Sequence, residues 1–387
     1  MDWTFHLPTR LEVACGGRRR LAQAAAMWGG RAVLVVGGGS LAAAGHLALV
    51  HQDLAAAGVE VVTLRVDAEP ASEVVDDLAA TVRAHRPAVL VAVGGGSVID
   101  AAKALAVLAV NQGRCLDYLE GLPGPGPQPV TIDPLPVIAA PTTAGTGAEV
   151  TYNAVIQADG HQVKRSLRDP RLAPHLAVLD AELLASCPAG VMAAAAFDAL
   201  GHLVESLLSR TATPMTQALA WPGISRMVAM LTTLAAGRRA PQHDAEALLA
   251  ACWGGICLAH ARLGAAHGLV APLGGLRPVP HGQGIACLLP GTLLVTERAL
   301  RQRAADSPVR ADLTRLCRVI AGDGAGIDAC VTRLIDWRHR LGLPGLAAWN
   351  LDPDDRHAIV TKPSGSIASH PIALDEDELT EILVLAR

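Results

Sequence analysis

The sequence lacks several features that mark whole classes of protein. Charged residues make up only 18% of its 387 residues, and the net charge of -4 comes with no basic block. We therefore expect neither nucleic acid nor an anionic membrane surface as a partner. No run reaches about 18 uninterrupted apolar residues, and the opening MDWTFHLPTR has no basic segment followed by an apolar stretch. These absences predict a soluble, cytoplasmic protein with no membrane partner.

Aromatic residues are also scarce, at 3%, and the cysteines form no C-x-x-C pair. Eight scattered cysteines are typical of reduced thiols, and they argue against both a disulfide framework and a cysteine zinc site. What the chain does have is a high content of apolar residues, at 51%. At this length they can bury more than one core, so we expect two domains.

The pattern of predicted secondary structure changes near residue 180. Before it, β-branched runs alternate with helical segments, which predicts a parallel sheet with helices on both faces. These runs are RAVLVV (31–36), VEVVTLRV (59–66), AVLVAV (88–93) and PVIAA (136–140). After it, Ala- and Leu-rich helical segments follow one another. We predict an α/β domain over residues 1–182 and an all-helical domain over residues 183–387.

Four side chains in the second half form a candidate metal site. Asp198 and His202 lie four residues apart in a helical run, so they share one face of the helix. His267 and His281 stand in a nearly uncharged stretch, where an unpaired polar side chain would be costly. Each residue alone is more often a hydrogen-bonded or surface residue than a ligand. One carboxylate and three imidazoles together are typical ligands of a divalent transition metal, and both Fe²⁺ and Zn²⁺ accept them.

Three loops rich in glycine or threonine follow predicted strands. GGGSVIDAAKAL (94–105) runs from a strand into a helix, whose N-terminal N–H groups and dipole favour a pyrophosphate. A GGGS turn on its own is weak evidence, because tight turns use glycine for steric reasons alone. The other GGGS (37–40) is read as a turn, and PTTAGTGAEVT (141–151) either lines a phosphate or ribose or caps a helix. The loops support one another, because ligands of open α/β sheets bind beyond the carboxyl ends of the strands.

Together these motifs resemble the iron-containing, or group III, alcohol dehydrogenases. GGGSVIDAAKA, PTTAGTGAEVT, the Asp198/His202 pair and HGLVAPLGGLRPVPHG occur in that family's order and approximate spacing, and the resemblance runs from FHLPTR to the closing DEDELTEIL. It implies a dehydroquinate synthase-like architecture, with a Rossmann-like α/β nucleotide-binding domain, an all-helical metal-binding domain and a cleft between them. It also implies NAD(P)H, a divalent metal, hydride transfer to or from a small carbonyl or alcohol substrate, and a homodimer or larger homo-oligomer.

The resemblance also assigns functional positions residue by residue. The candidate cofactor contacts are Gly95, Gly96, Ser97, Asp100, Thr142, Thr146, Thr151 and Lys164, of which Lys164 is the weakest. The metal ligands fall on Asp198, His202, His267 and His281. No further side chain is assigned as catalytic.

A few positions depart from the family pattern. Ala271 stands where many members have a histidine thought to relay protons, so that relay is excluded. Gly37 stands where many NAD-preferring members have an acidic residue, which would bind the adenosine ribose and repel a 2′-phosphate, so NADPH is permitted. Arg277 is read either as a solvated loop residue or as a clamp for a polar or acidic substrate. His370 is interpreted as structural.

Three other functions compete with this interpretation. A maleylacetate reductase-like keto-acid reductase shares the architecture but commonly lacks the full set of metal ligands. A dehydroquinate synthase-like lyase needs NAD and metal but regenerates its cofactor, and its metal ligands and substrate-binding lysines do not match this sequence. A non-catalytic nucleotide-binding or assembly protein would leave the four candidate ligands unexplained.

Overall fold

The computed structural model describes residues 3–161 and 163–387, which form two compact units. The first unit is His6–Pro188, and the second contains Ala189–Arg387 together with the N-terminal segment that ends at Phe5. The sequence placed this division between residues 182 and 183. The structure extends the first unit beyond that point because Leu183 is fully buried in the core of its sheet.

The first unit is built on a parallel sheet, which confirms the predicted fold class. The order of its six strands is β1-β8-β5-β4-β2-β3, and every neighbouring pair is parallel. These strands are β1 (Arg10–Val13), β2 (Arg31–Val36), β3 (Glu60–Arg65), β4 (Val89–Gly94), β5 (Val137–Pro141) and β8 (Leu176–Leu179). A separate antiparallel hairpin joins β6 (Asn153–Ala158) to β7 (Val163–Arg168).

Helices cover both faces of this sheet. They are α1 (Arg18–Trp28), α2 (Gly39–Ala43), α3 (His46–Ala56), α4 (Ser72–His85), α5 (Gly96–Leu108) and α6 (Ala181–Leu184). Successive residues of a strand face opposite sides, and Val33 and Leu34 accordingly belong to two different cores. Helices α4 and α5 pack on the first of these cores, and α1 and α3 pack on the second. Burial on both sides explains why the sequences of the inner strands β2, β4, β5 and β8 are almost continuously apolar.

The strand order places two glycine-rich loops side by side. From β2 the chain continues to β3, which lies toward one edge of the sheet. From β4 it continues to β5, which lies toward the opposite edge. Since β2 and β4 are neighbours, the loops at residues 37–40 and 94–97 both lie at the point where the strand order reverses. Ligands of doubly wound sheets bind at such a point.

The second unit is all-helical among its described residues. Its helices are α7 (Ala189–Leu208), α8 (Pro214–Ala235), α9 (Pro241–Ala261), α10 (Ala265–Leu276), α11 (His281–Arg303), α12 (Val309–Ala321), α13 (Ile327–Arg340), α14 (Pro353–Thr361) and α15 (Glu376–Leu385). Helix α7 packs against α8, α9 and α11, and most of its residues are buried. It is therefore the central helix of this unit.

By length and composition, α7 is also able to cross a membrane. Helices α9 and α10 meet the same criteria only if they are counted as one span that is bent by 98°. However, 83% of the apolar window of α7 is buried inside the protein. The same apolar composition is what the core helix of a globular unit requires.

Candidate metal centre and nucleotide-binding loops

Helix α7 presents the first part of the candidate metal centre. It is rich in alanine and contains no proline, so the backbone hydrogen bonds continue through the positions of Asp198 and His202. The two side chains are buried, with 3% and 4% exposure, and His202 Nε2 lies 3.9 Å from Asp198 Oδ1. The i, i+4 spacing therefore brings these two side chains together, as the sequence predicts.

Two other helices bring the remaining imidazoles to the same carboxylate. His267 lies in the first turn of α10, and His281 is the first residue of α11. The Nε2 atoms of both residues lie 3.4 Å from Asp198 Oδ1. His202 stacks on His267 with ring centroids 4.6 Å apart. All four predicted ligands thus lie in one cluster, which is accessible on one side because the His281 side chain is 36% exposed and that of His267 only 4%.

The spacing of these atoms fits a divalent ion. Ligand atoms about 2.1 Å from one tetrahedral ion are themselves about 3.4 Å apart. The donor atoms of Asp198, His267 and His281 lie within 4.8 Å of one another, and the two separations from Asp198 Oδ1 match that value. Burial alone would raise the pKa of Asp198, but the surrounding imidazoles lower it well below its usual value. The carboxylate is therefore held in the charged form that binds a cation.

A fifth residue of this centre was missed by the sequence reasoning. Glu205 is buried, and its Oε2 lies 2.6 Å from Nδ1 of His267, on the side of the ring away from Asp198. The same carboxylate accepts hydrogen bonds from the backbone N–H groups of Ala266 and His267, at 2.7 and 3.2 Å. Its position seven residues after Asp198 in α7 was the available signal, because i, i+4 and i+7 share one helix face.

The glycines of the loop after β4 form a close-fitting turn in the α/β unit. Gly95 precedes α5 and provides no side-chain cap for it, so the first N–H groups of this helix are available to a ligand. A Cβ atom at Gly96 would lie 2.5 Å from Thr146 Oγ1, and one at Gly95 would lie 3.3 Å from the side chain of Thr143. The 94–97 loop and the 142–146 loop are thus in contact, and the space at Gly96 is too small for a Cβ atom unless Thr146 moves.

The other predicted cofactor residues have varied surroundings. Thr142 donates its N–H to Gly94, which holds the second loop beside the first. Asp100 accepts a hydrogen bond from the N–H of Val155 at 3.0 Å, so part of its carboxylate is engaged by the β6–β7 hairpin. Lys164 forms an ion pair with Glu69. Ser97 lies in the first turn of α5. The roles of these residues in cofactor binding remain predictions.

Beneath these loops lies a buried ion cluster that the sequence did not reveal. Lys103 is fully buried in α5, and its Nζ donates to Thr151 Oγ1 at 3.0 Å and to the Asn153 carbonyl at 2.9 Å. Burial lowers the pKa of Lys103 to about 8 and raises that of Glu149 to about 7. The hydrogen bond from Lys103 therefore fixes the side chain of Thr151, which is one of the predicted cofactor contacts.

The structure does not support the hypothesis that Arg277 clamps an acidic substrate. Its Nε donates to Asp355 Oδ2 at 2.9 Å, and its Nη2 contacts the same oxygen. This internal carboxylate already balances the guanidinium charge and occupies its fork. The structural interpretation of His370 agrees with the structure, because the ring is buried and accepts a hydrogen bond from the N–H of Ala265.

The fold and the two sites define a class of protein. An α/β unit with glycine-rich loops at its strand reversal, followed by a helical unit with a cluster of one carboxylate and three imidazoles, matches the arrangement that the sequence predicts for a dehydrogenase. Residues 8–181 match the family description "Iron-containing alcohol dehydrogenase", and residues 192–386 match "Fe-containing alcohol dehydrogenase family, C-terminal".

Individual proteins show the same relationship. The chain is 34% identical over 287 residues to choline dehydrogenase of Bacillus subtilis, covering 74% of this chain and 71% of that protein. It is 35% identical over 294 residues to 4-hydroxybutyrate dehydrogenase of Cupriavidus necator, covering 73% and 72%. The solved structure of an iron-containing alcohol dehydrogenase from Thermococcus thioreducens superimposes with a TM-score of 0.84 at 27% identity, over 99% of each chain.

The chain therefore belongs to the iron-containing alcohol dehydrogenase family. It is an oxidoreductase that acts on CH–OH groups, as an alcohol dehydrogenase or aldehyde reductase.

Proposed function

We propose that this enzyme transfers hydride between a nicotinamide cofactor and a small carbonyl or alcohol substrate, and that it requires a divalent metal. The observation that carries the proposal is the convergence of Asp198, His202, His267 and His281 from three helices on one buried point. One carboxylate with three imidazoles within 4 Å of it is a complete set of ligands for a divalent cation.

Each side chain has a distinct part in this proposal. A divalent ion would supply the Lewis acid that polarises the substrate oxygen. Asp198 would hold this ion as the charged ligand, while His202, His267 and His281 would supply its neutral ligands. The negative charges of Asp198 and the nearby Glu205 together balance a charge of +2, so the buried centre is neutral overall. The accessible side of the cluster, next to His281, is where a substrate oxygen would enter.

We also propose that the dinucleotide binds at the strand reversal of the α/β unit. Gly95 and Gly96 would bring the backbone N–H groups of α5 against the pyrophosphate. NADPH is expected to be used at least as well as NADH, because Gly37 offers no carboxylate to repel a 2′-phosphate. The neighbouring strand β3 ends at Arg65, and Asp67 follows two residues later with its Oδ1 3.7 Å from Arg65 Nε. The guanidinium suits a 2′-phosphate, and the carboxylate suits a ribose hydroxyl.

The charge of the substrate is left open by this proposal. Choline is a cation and 4-hydroxybutyrate is an anion, and their dehydrogenases are similar to this chain to the same degree. Arg277, the one residue offered for an acidic substrate, is engaged by Asp355. A small alcohol or aldehyde is therefore the substrate class, without preference for a charge.

The test is a reconstitution with a matched variant. Metal-free protein is loaded with Fe²⁺ or Zn²⁺ and assayed with aldehydes, keto acids and alcohols, using both NADH and NADPH. Asp198→Asn keeps the shape of the site but removes the charged ligand, so it should bind dinucleotide normally and lose both metal and turnover. Full activity without metal would instead favour a maleylacetate reductase-like enzyme. Turnover without net consumption of cofactor would favour the lyase.

A further inference from the structure

We propose that Glu205 is a positioning residue for the metal centre: its carboxylate fixes the tautomer of His267 so that Nε2 is the nitrogen offered to the metal. This inference rests on the proposed metal centre, and it adds to that centre a residue outside the four ligands. Glu205 does not reach the ligand cluster itself, because the imidazole of His267 lies between its carboxylate and Asp198.

The hydrogen bonds around Glu205 fix a proton on one nitrogen of the His267 ring. The carboxylate receives the N–H groups of Ala266 and His267, and both of its oxygens are used. An ionised carboxylate can only accept hydrogen bonds, so the contact of 2.6 Å to His267 Nδ1 requires a proton on Nδ1. A neutral imidazole then carries a lone pair on Nε2, which is the atom that faces Asp198 at 3.4 Å.

Glu205 has a second task that has to be separated from the first. Helix α10 begins after Gly264, which has no side chain to cap it. The first three N–H groups of this helix are accepted instead by His370, through Nδ1, and by Glu205. A Cβ atom at Gly264 would lie 2.8 Å from both of these acceptors, so glycine makes room for them.

His370 therefore provides a matched control. It caps the same first turn as Glu205, but it bonds to the N–H of Ala265 and not to the imidazole of His267. Replacing His370 weakens the helix start and removes its contact with Thr296, but it leaves the Glu205–His267 contact in place. Replacing Glu205 weakens both the helix start and the orientation of the ligand.

The experiment compares Glu205→Gln with His370→Leu. For each variant and the wild type, the dissociation constant of Zn²⁺ is measured by competition with a chelator, and thermal unfolding of the metal-free protein is recorded. Loss of a partner that orients a metal ligand typically weakens metal binding by about 10- to 100-fold. We expect a loss of that size for Glu205→Gln. We expect a change of no more than about threefold for His370→Leu, even where both variants unfold at similar temperatures. Equal losses in the two variants, or unchanged affinity in Glu205→Gln, would overturn the inference.

A second measurement needs no variant to fold well. Burial lowers the pKa of His267, but its hydrogen bonds to Asp198 and Glu205 raise it to about 9. Above that pH the ring is neutral, and the imidazole nitrogen shifts of metal-free wild-type protein labelled with ¹⁵N-histidine report the tautomer of His267. We expect the Nδ1–H form, and finding the Nε2–H form would refute the role of Glu205. The two proposals can also fail separately. If the wild type binds no metal, the proposed metal centre is wrong, and the tautomer still tests the Glu205–His267 contact. If the wild type binds metal and Glu205→Gln binds it equally well, only the positioning role of Glu205 is wrong.

Discussion

Acid should destabilise this protein through one buried histidine, His370. Its Nδ1 accepts the N–H of Ala265, and its Nε2 lies 3.0 Å from Thr296 Oγ1, which itself donates to the carbonyl of Thr292. The ring is therefore neutral, with its proton on Nε2. Protonation of Nδ1 would place an N–H group against the N–H of Ala265 and put a charge in a buried site.

The size of the effect follows from the pKa of His370. Burial lowers it from 6.5 to about 4, although the charge of nearby Glu205 partly opposes this change. A group with a depressed pKa in the folded state stabilises fully above its unfolded pKa, and this stability is lost as the pH falls. At 1.36 kcal/mol per pKa unit, the folded state should lose about 3 kcal/mol between pH 6.5 and pH 4.

The assay is urea unfolding at several pH values for the wild type and for His370→Asn. The asparagine can accept the N–H of Ala265 but does not titrate, so its other costs are independent of pH. We expect the wild type to be the more stable protein at pH 7, and this advantage to shrink by about 3 kcal/mol at pH 4. A difference between the two proteins that stays constant over this range would refute the reasoning.

Three further substitutions test other parts of the structure. Gly96→Ala places a Cβ atom 2.5 Å from Thr146 Oγ1 and should raise the dissociation constant of dinucleotide by about 5- to 100-fold, while Zn²⁺ binding stays unchanged. Gly201→Ala places a Cβ atom 2.7 Å from Ile285 Cγ2 and 3.1 Å from His267 Cε1, so calorimetry should show weaker Zn²⁺ binding with dinucleotide binding intact. Arg277→Ala should shift KM equally for acidic and neutral substrates in steady-state assays, and a selective rise for acids would restore the clamp hypothesis.

The part of the fold that the sequence predicted is the part with a strong local pattern. Strands β2, β4 and β5 are almost continuous apolar runs because they are buried on both faces. The edge strand β1 (RLEV) and the β6–β7 hairpin were not predicted, since four residues with two charges, or short polar alternations, do not stand out from a loop.

The site shows the same limit. The ligands Asp198 and His202 could be found because they lie one turn apart on a single helix. Glu205 shares their helix face at i+7, but its role could not be predicted from the sequence, because the groups it bonds to lie 61 and 62 residues away in the chain. Lys103 is a charged residue in an otherwise apolar helix, a pattern that normally indicates an exposed side chain. Its partners, Thr151 and Asn153, come from the β6–β7 hairpin and the loop before it, which the sequence did not predict. Long-range pairing of this kind is decided by tertiary packing.

The way helix α10 begins also determines whether folding or binding of the proposed metal comes first. The acceptors for its first N–H groups come from residues 61 and 105 positions away, so the first turn, and His267 with it, is ordered only after distant segments have met. Closing such long loops costs entropy. If the ion bound first, its binding free energy would have to offset this cost. Folding of the helical unit should therefore come before metal uptake, in contrast to zinc fingers, which are unfolded without metal. A metal that binds only the folded chain then raises the free energy of unfolding, by about 2.7 kcal/mol when its free concentration is one hundred times its dissociation constant.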